Sequence, residues 1–324
     1  MDPEGVVSLE ALATELETRL PGRIGRSVPF SDLSTYRVGG PVAVLARVAS
    51  DDQLAAVAEV AARHRPQLLV VGRGSNLLVG DDGFDGLALL LEGDFETLEL
   101  DAVSGTSAGE ALAVAGGALA LPVLARRTAG AGFTGLEFFV GIPGSVGGAV
   151  RMNAGGHGRE TADVLRRAWV VDVLASGDRH ARTNDELDLG YRHSRITASE
   201  VVVAAELAVA PDDPTLCEKR VGEVVRWRRE HQPGGANAGS VFRNPPGDSA
   251  GRLIDAAGLK GLRVGGAIVS PKHANFFQAE PGASAADVGR LVAEVQRRVA
   301  DATGVLLVPE LLMVGEGFDG DGRV

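Results

Sequence analysis

Gly130-Ala-Gly-Phe-Thr-Gly-Leu-Glu-Phe-Phe-Val-Gly-Ile-Pro-Gly-Ser-Val-Gly-Gly-Ala-Val-Arg-Met-Asn-Ala-Gly-Gly-His-Gly158 holds ten glycines in 29 residues. Ordinary proteins carry about 7% glycine. Density of this kind means sharp turns, or a backbone that comes very close to something. Leu136, Phe138, Phe139, Val140, Ile142 and Val146 interleave with the glycines, so the stretch reads as buried and turn-rich rather than as a linker. Its N–H groups suit an anion such as a pyrophosphate; tight turns without a ligand are the plainer alternative.

A second glycine turn, Gly72-Arg-Gly-Ser-Asn76, follows a β-α-β pattern. That pattern comprises a strand over Val42–Val48, an alanine-rich helix capped by Asp51 and ending before Pro66, and a strand over Leu68–Val71. A helix is expected over Leu9–Leu20, and short strands over Leu77–Val79, Leu87–Leu91 and Thr97–Val103. Next come a helix from Ala108 towards Arg127 and strands over Ala168–Leu174 and Val201–Val209. Beyond Pro211-Asp-Asp-Pro214 the pattern gives helices over Thr215–Arg229, from Ser249 to Gly258, and from Ser284 to Thr303. Strands and helices mix without strict alternation, which favours an α+β fold.

At 324 residues the chain can bury more than one core. Its net charge of −11 argues against nucleic-acid or membrane-surface binding, which want a basic face. A single cysteine, Cys217, fits a reducing cytosol. No apolar leader and no run of about 18 apolar residues is present, so neither secretion nor membrane insertion is expected. The six histidines are scattered without metal-ligand spacing, so no metal is expected.

Two motifs are weighed and set aside. Gly130-Ala-Gly-Phe-Thr-Gly135 matches the dinucleotide pattern, but a helix precedes it and none follows. Gly105-Thr-Ser-Ala-Gly109 matches a nucleophile elbow, leaving a serine hydrolase built on Ser107 as a rival; the alternative is a helix-capping serine. Four polar residues are explained less well by bland readings. Arg192 sits in a short polar island, Ser240 in a turn, and His273 at the head of an apolar run. Glu310 interrupts Val305-Leu-Leu-Val-Pro-Glu-Leu-Leu-Met-Val314, where an unpaired carboxylate is costly to bury. It either faces solvent on an edge or is held in a cleft for chemistry.

Taken in order, several segments resemble the UDP-N-acetylenolpyruvoylglucosamine reductase (MurB) family. They are Thr35-Tyr-Arg-Val-Gly-Gly-Pro41, Gly72-Arg-Gly-Ser-Asn-Leu-Leu-Val79, Gly135 to Ala149, Met152-Asn-Ala-Gly155, Tyr191-Arg192, Ala238-Gly-Ser-Val-Phe-Arg-Asn-Pro245, Gly258-Leu-Lys-Gly261 and Pro309-Glu310. The resemblance implies a two-subdomain FAD-binding fold of the vanillyl-alcohol-oxidase type with a third, α+β substrate domain. The expected division is 1–72 (completed by about 306–324) and 73–210 for the flavin, and 211–305 for the substrate.

The same resemblance implies noncovalent FAD, NADPH as hydride donor, and a UDP-N-acetylglucosamine enolpyruvate acceptor. A cytoplasmic monomer is expected. Arg37, Gly72, Arg73, Gly74, Ser75, Asn76, Leu77, Gly141, Ile142, Pro143, Gly144, Ser145, Gly147, Gly148 and Ala149 are then the cofactor-binding positions. Arg192 and Glu310 stabilise the charge that develops on the substrate, and Ser240 supplies a proton. A carboxyl in apolar surroundings favours its neutral, donating form.

Tyr191, Arg228, His231, Asn244 and His273 are the substrate-binding positions. For Arg228 the alternative is a solvated basic helix end shared with Arg226 and Arg229. Neither Tyr36 nor Tyr191, the only tyrosines, lies between Arg192 and Ser240. The chain therefore resembles the shorter family type that lacks a lid tyrosine. Arg243 stands where lysine is common in the family, and His157 where an aromatic is frequent. A flavin sensor of the same fold is the non-enzymatic rival; it would have no use for a proton donor.

Overall fold

The computed structural model describes residues 8–101, 111–315 and 318. The chain forms two compact units: residues 1–26, 44–73 and 86–227 make one, and residues 27–43, 74–85 and 228–324 the other.

The first unit is built on two sheets. One has the order Ile24–Pro29, Pro41–Val48, Phe84–Leu91, Leu68–Val71, the last two strands running parallel. The helix Asp51–His64 connects Pro41–Val48 to Leu68–Val71, while the parallel pair itself is joined through residues 72–83, a connection long enough for a crossover. That helix is capped by Ser50, whose hydroxyl accepts from the Gln53 amide at 3.3 Å. Asp51, expected at the cap, is instead the first helical residue, where its charge complements the helix dipole.

The other sheet is antiparallel, in the order Arg179–Thr183, Leu165–Asp172, Glu200–Pro211, Ala111–Gly116, Leu98–Asp101, with Phe133–Thr134 pairing to the end of Glu200–Pro211. Here the sequence reading needs correcting. The expected helix from Ala108 is a strand over Ala111–Gly116 followed by a helix over Leu121–Gly130. Alanine favours helix locally, but Ala111, Ala113 and Ala115 alternate into the core and pair with Glu200–Pro211. Sheet pairing overrides that propensity, and Pro122 marks the true helix start. The strand Arg179–Thr183 has no apolar alternation to reveal it, because it is an exposed edge. Gly105–Gly109, with Ser107, lies outside the described residues.

The core of this unit contains Phe138, Phe139, Val140, Val146, Ala149 and Val150 from the long glycine stretch. Gly130–Gly135 follows a helix and leads into a short strand and a tight turn, so the dinucleotide pattern lacks its strand-turn-helix setting.

In the second unit the helix Ala285–Thr303 buries Val288, Leu291, Val292, Val295 and Val299. They pack with the sheet Arg263–Val264, Ala267–Val269, Phe277–Ala279 and with Leu253 and Ile254 of the helix Ala250–Ala256. Asp81 receives the amides of Ala285 and Ala286 at 2.8 and 2.9 Å, fixing the loop after Leu77–Val79 to the start of the long helix. Leu77–Val79 pairs in parallel with Leu312–Val314.

Candidate active site

The turn 72–76 is shaped by close approach. Gly74 has φ +59°, and a Cβ there would stand 2.0 Å from the Leu33 carbonyl oxygen, so only glycine fits. In return the Gly74 carbonyl accepts from the Thr35 amide at 3.2 Å. In the first unit a Cβ on Gly72 would sit 2.6 Å from Ser145 Oγ, so this glycine lies directly against the long glycine stretch. None of the amides from Gly72 to Asn76 donates to a described residue.

In the long stretch the amides of Ile142, Val146 and Gly147 are taken by the carbonyls of Phe139, Leu119 and Gly117. Gly148 donates to the Ser145 hydroxyl, the cap of the helix Val146–Met152, which also carries Ala149. The Gly144 and Ser145 amides donate to no described residue. Buried or half-buried N–H groups want an acceptor, and runs of them in turns suit a pyrophosphate. Ile142 and Pro143 are half-buried in this loop, and Arg73 and Arg37 are exposed. Arg37, at φ 57°, points outward between the buried Tyr36 and Val38. Leu77 is buried at the start of its strand. In the second unit two enclosed polar atoms, the Tyr36 hydroxyl and Arg243 Nε, have no partner among the described residues. Burial pushes the Tyr36 phenol pKa up. Amides and orphaned donors of this kind are what a bound dinucleotide satisfies.

Arg192 belongs to the first unit. Tyr191 and Arg192 form the corner of a two-residue turn closed by reciprocal bonds of 3.1 Å between Gly190 and His193. Arg192 adopts φ 55° while Tyr191 does not, the pattern of a type II turn at its second central residue. Its guanidinium lies 5.0 Å from the centre of the exposed Tyr191 ring, in cation-π range. Asn153, wholly buried at φ 41°, donates to the Gly190 carbonyl at 3.0 Å and accepts from Ala162 at 2.9 Å. The sequence offered no reason to assign Asn153 this structural task, although its left-handed backbone is one that asparagine tolerates.

Ser240 and Glu310 belong to the second unit, and the fold places their segments side by side. Phe242 pairs with Pro309 and Ser240 with Phe276. The amides of Glu310 and Leu311 both reach the Val241 carbonyl, at 2.7 and 3.4 Å. Two amides converging on one carbonyl is the arrangement of a β-bulge, a device that re-aims a side chain. Glu310 is half-buried between the exposed Val308 and Leu312. Asn275, only 3% exposed, grips Phe242 from both sides, accepting its amide at 3.0 Å and donating to its carbonyl at 2.8 Å. This clamp, two residues from Ser240, was also missed.

His273 is half-buried, accepts the Asn275 amide at 3.3 Å and meets the Phe276 ring edge-on. Burial, with Lys260 adding to it, lowers its pKa. Asn244 accepts the Ala250 amide at 3.1 Å. Arg228, on the helix Pro214–His231, is half-buried while Arg226, Arg229 and His231 are exposed; burial lowers the pKa of its guanidinium. Among the described residues no cluster of His, Cys, Asp and Glu is placed to hold a metal, and no helix is long and apolar enough to cross a membrane.

Comparison with known proteins completes the description. Residues 231–314 match the family model for the UDP-N-acetylenolpyruvoylglucosamine reductase C-terminal domain, and residues 42–180 match that for an FAD-binding domain. A UDP-N-acetylenolpyruvoylglucosamine reductase of Rubrobacter xylanophilus is 41% identical over 290 residues, covering 89% of this chain and 94% of that one. One from Parasynechococcus marenigrum is 43% identical over 303 residues, covering 93% and 98%. The crystal structure of UDP-N-acetylenolpyruvylglucosamine reductase from Thermus caldophilus superposes with a TM-score of 0.75 at 37% identity, covering 90% of this chain and 98% of that one.

Proposed function

Because the chain belongs to the UDP-N-acetylenolpyruvoylglucosamine reductase family, we propose that it reduces UDP-N-acetylglucosamine enolpyruvate to UDP-N-acetylmuramate, a step of peptidoglycan precursor synthesis. It is a flavin-dependent oxidoreductase. FAD, held noncovalently, supplies the hydride that NADPH provides. The turn 72–76, the loop 141–145 and the start of the helix Val146–Met152 hold the cofactor, the amides of residues 72–76, 144 and 145 being those it would engage.

The protein's own residues manage charge and protons. When hydride reaches the methylene carbon of the enolpyruvyl group, negative charge builds on the neighbouring carbon and its carboxylate. Arg192 and Glu310 stabilise that charge; groups placed beforehand for a developing charge supply the largest part of many rate enhancements. Ser240 then gives the neighbouring carbon its proton. A hydroxyl is a weak acid, so it serves only a strongly basic acceptor held beside it. Tyr191, Arg228, His231, Asn244 and His273 bind the UDP-sugar. The division into flavin parts 1–72 with about 306–324 and 73–210, and a substrate part 211–305, belongs to this reading. So does a monomer working in the cytoplasm, where a lone cysteine stays reduced.

The observation that carries the reading is the junction at Val241, which joins the Ser240 segment to the Glu310 segment through backbone bonds. The test is spectroscopic. The purified protein should be yellow, bleach with NADPH, and regain its colour when the enolpyruvyl UDP-sugar is added without oxygen. A colourless protein that takes up no FAD, or a bleached one that the substrate leaves unchanged, would overturn it.

A further inference from the structure

Phe242 and Pro309 form an isolated pairing, and just beyond it the bulged Glu310 and Leu311 amides share the Val241 carbonyl. The Glu310 amide is taken by the Val241 carbonyl. Its carbonyl is reached from elsewhere, by Asn76 Nδ2 at 3.1 Å. The Asn76 backbone carbonyl accepts from the Leu312 amide, also at 3.1 Å. Parallel pairing of Leu77–Val79 with Leu312–Val314 then continues from that point. Asn76 therefore brackets Glu310 with its side chain on one side and its main chain on the other. It is also the last residue of the glycine turn, whose carbonyl at Gly74 is tied to Thr35.

We propose that Asn76 is a positioning residue for Glu310: its amide completes the bulge and fixes the peptide from which the carboxyl projects. This differs from holding the cofactor, the role the sequence suggested for Asn76, and it rests on Glu310 acting in the substrate step. The main-chain amides of the turn are indifferent to the Asn76 side chain, whereas the Glu310 carbonyl is not. Loss of Nδ2 leaves that carbonyl without this donor and lets the bulge sample other geometries. A carboxylate in its place sets oxygen against oxygen.

The test uses the FAD-loaded full-length protein and the variants Asn76→Ala and Asn76→Asp, each alone and combined with Glu310→Gln. In Asn76→Ala the amides of residues 308–314 should exchange with deuterium faster than in the parent. Bleaching by NADPH is followed in every variant, so that a loss at the cofactor turn is separated from a loss in the substrate step. Recolouring by the enolpyruvyl UDP-sugar should slow about tenfold, the weight of one well-placed hydrogen bond. On the Glu310→Gln background the same change should cost less than twofold, because residues acting as a unit are not additive. Asn76→Asp should slow recolouring at least as much, and it serves if the alanine variant does not fold. Unaltered exchange in 308–314 would overturn the proposal, and so would equal losses on both backgrounds. Should the parent fail to recolour with substrate, the functional reading falls, while the exchange comparison still decides whether Asn76 fixes the bulge.

Discussion

Arg192 and Glu310 would act on the same developing charge, yet the two units hold them by different means. Arg192 stands at the corner of a two-residue turn in the first unit, where a left-handed backbone and one asparagine, Asn153, set its position. Glu310 and Ser240 lie in the second unit on extended segments far apart in the chain, joined through the Val241 carbonyl, the Asn275 clamp and the Asn76 bond. A turn closes locally and is cheap in loop entropy. A long-range junction closes only when the rest of its unit has folded. Each chemical group thus inherits the robustness of its own scaffold, and each scaffold can be perturbed separately.

The largest expected effect separates chemistry from scaffold. Ser240→Ala removes a hydroxyl and none of the backbone bonds at Val241. Recolouring by substrate should fall by about 10²- to 10⁴-fold, the usual weight of general acid catalysis, with NADPH bleaching and unfolding midpoint unchanged. A variant that turns over at the parental rate would remove Ser240 from the mechanism.

Next in size is Asn153→Ala, which attacks the first scaffold alone. It deletes both side-chain bonds of a fully buried residue and leaves alanine at φ 41°. Each of the two orphaned partners costs about 1–3 kcal/mol, so urea unfolding should show a loss of roughly 2–6 kcal/mol. The recolouring step should slow, because the Arg192 corner loosens, while deuterium exchange over 308–314 stays at the parental rate. Faster exchange there would mean that the two scaffolds are not independent.

How much of this was legible in the sequence follows the same division. The glycine turns were, because a dense run of glycine signals sharp turns or close approach in the sequence itself, as Gly74 shows against the Leu33 carbonyl. The helices over Leu9–Arg19 and Ala285–Thr303 were as well, since their caps and apolar stripes are local signals. The junction of Ser240 with Glu310 was not, because no periodicity links the two segments; the sequence singled out each residue, and only the family resemblance put both in one reaction. Asn76, Asn153 and Asn275 look like turn residues in a sequence. Their work is done on carbonyls and amides of other segments, which spacing cannot reveal. The strand at Ala111–Gly116 was misread for a related reason: an alanine run favours helix until a neighbouring strand buries it.

The smallest expected effect concerns the substrate's diphosphate. A protein of net charge −11 must gather cations locally to hold such a group. The helix Pro214–His231 ends in Arg226, Arg228, Arg229 and His231. If these formed only a solvated helix end, all would be alike, their charge complementing the dipole. They are not alike: Arg228 is half-buried while its neighbours are exposed, and burial works against its charge. Its guanidinium fork fits phosphate oxygens. A charge-assisted hydrogen bond contributes roughly 1.5–3 kcal/mol, so Arg228→Ala should weaken UDP-sugar binding about tenfold to hundredfold. Flavin content and NADPH bleaching should not change. Arg226→Ala, the exposed control on the same helix, should leave the affinity within about twofold, as expected for a solvated charge. Equal losses from the two variants would show that the helix end acts only through its general field, and unaltered affinity in both would assign the diphosphate to other residues.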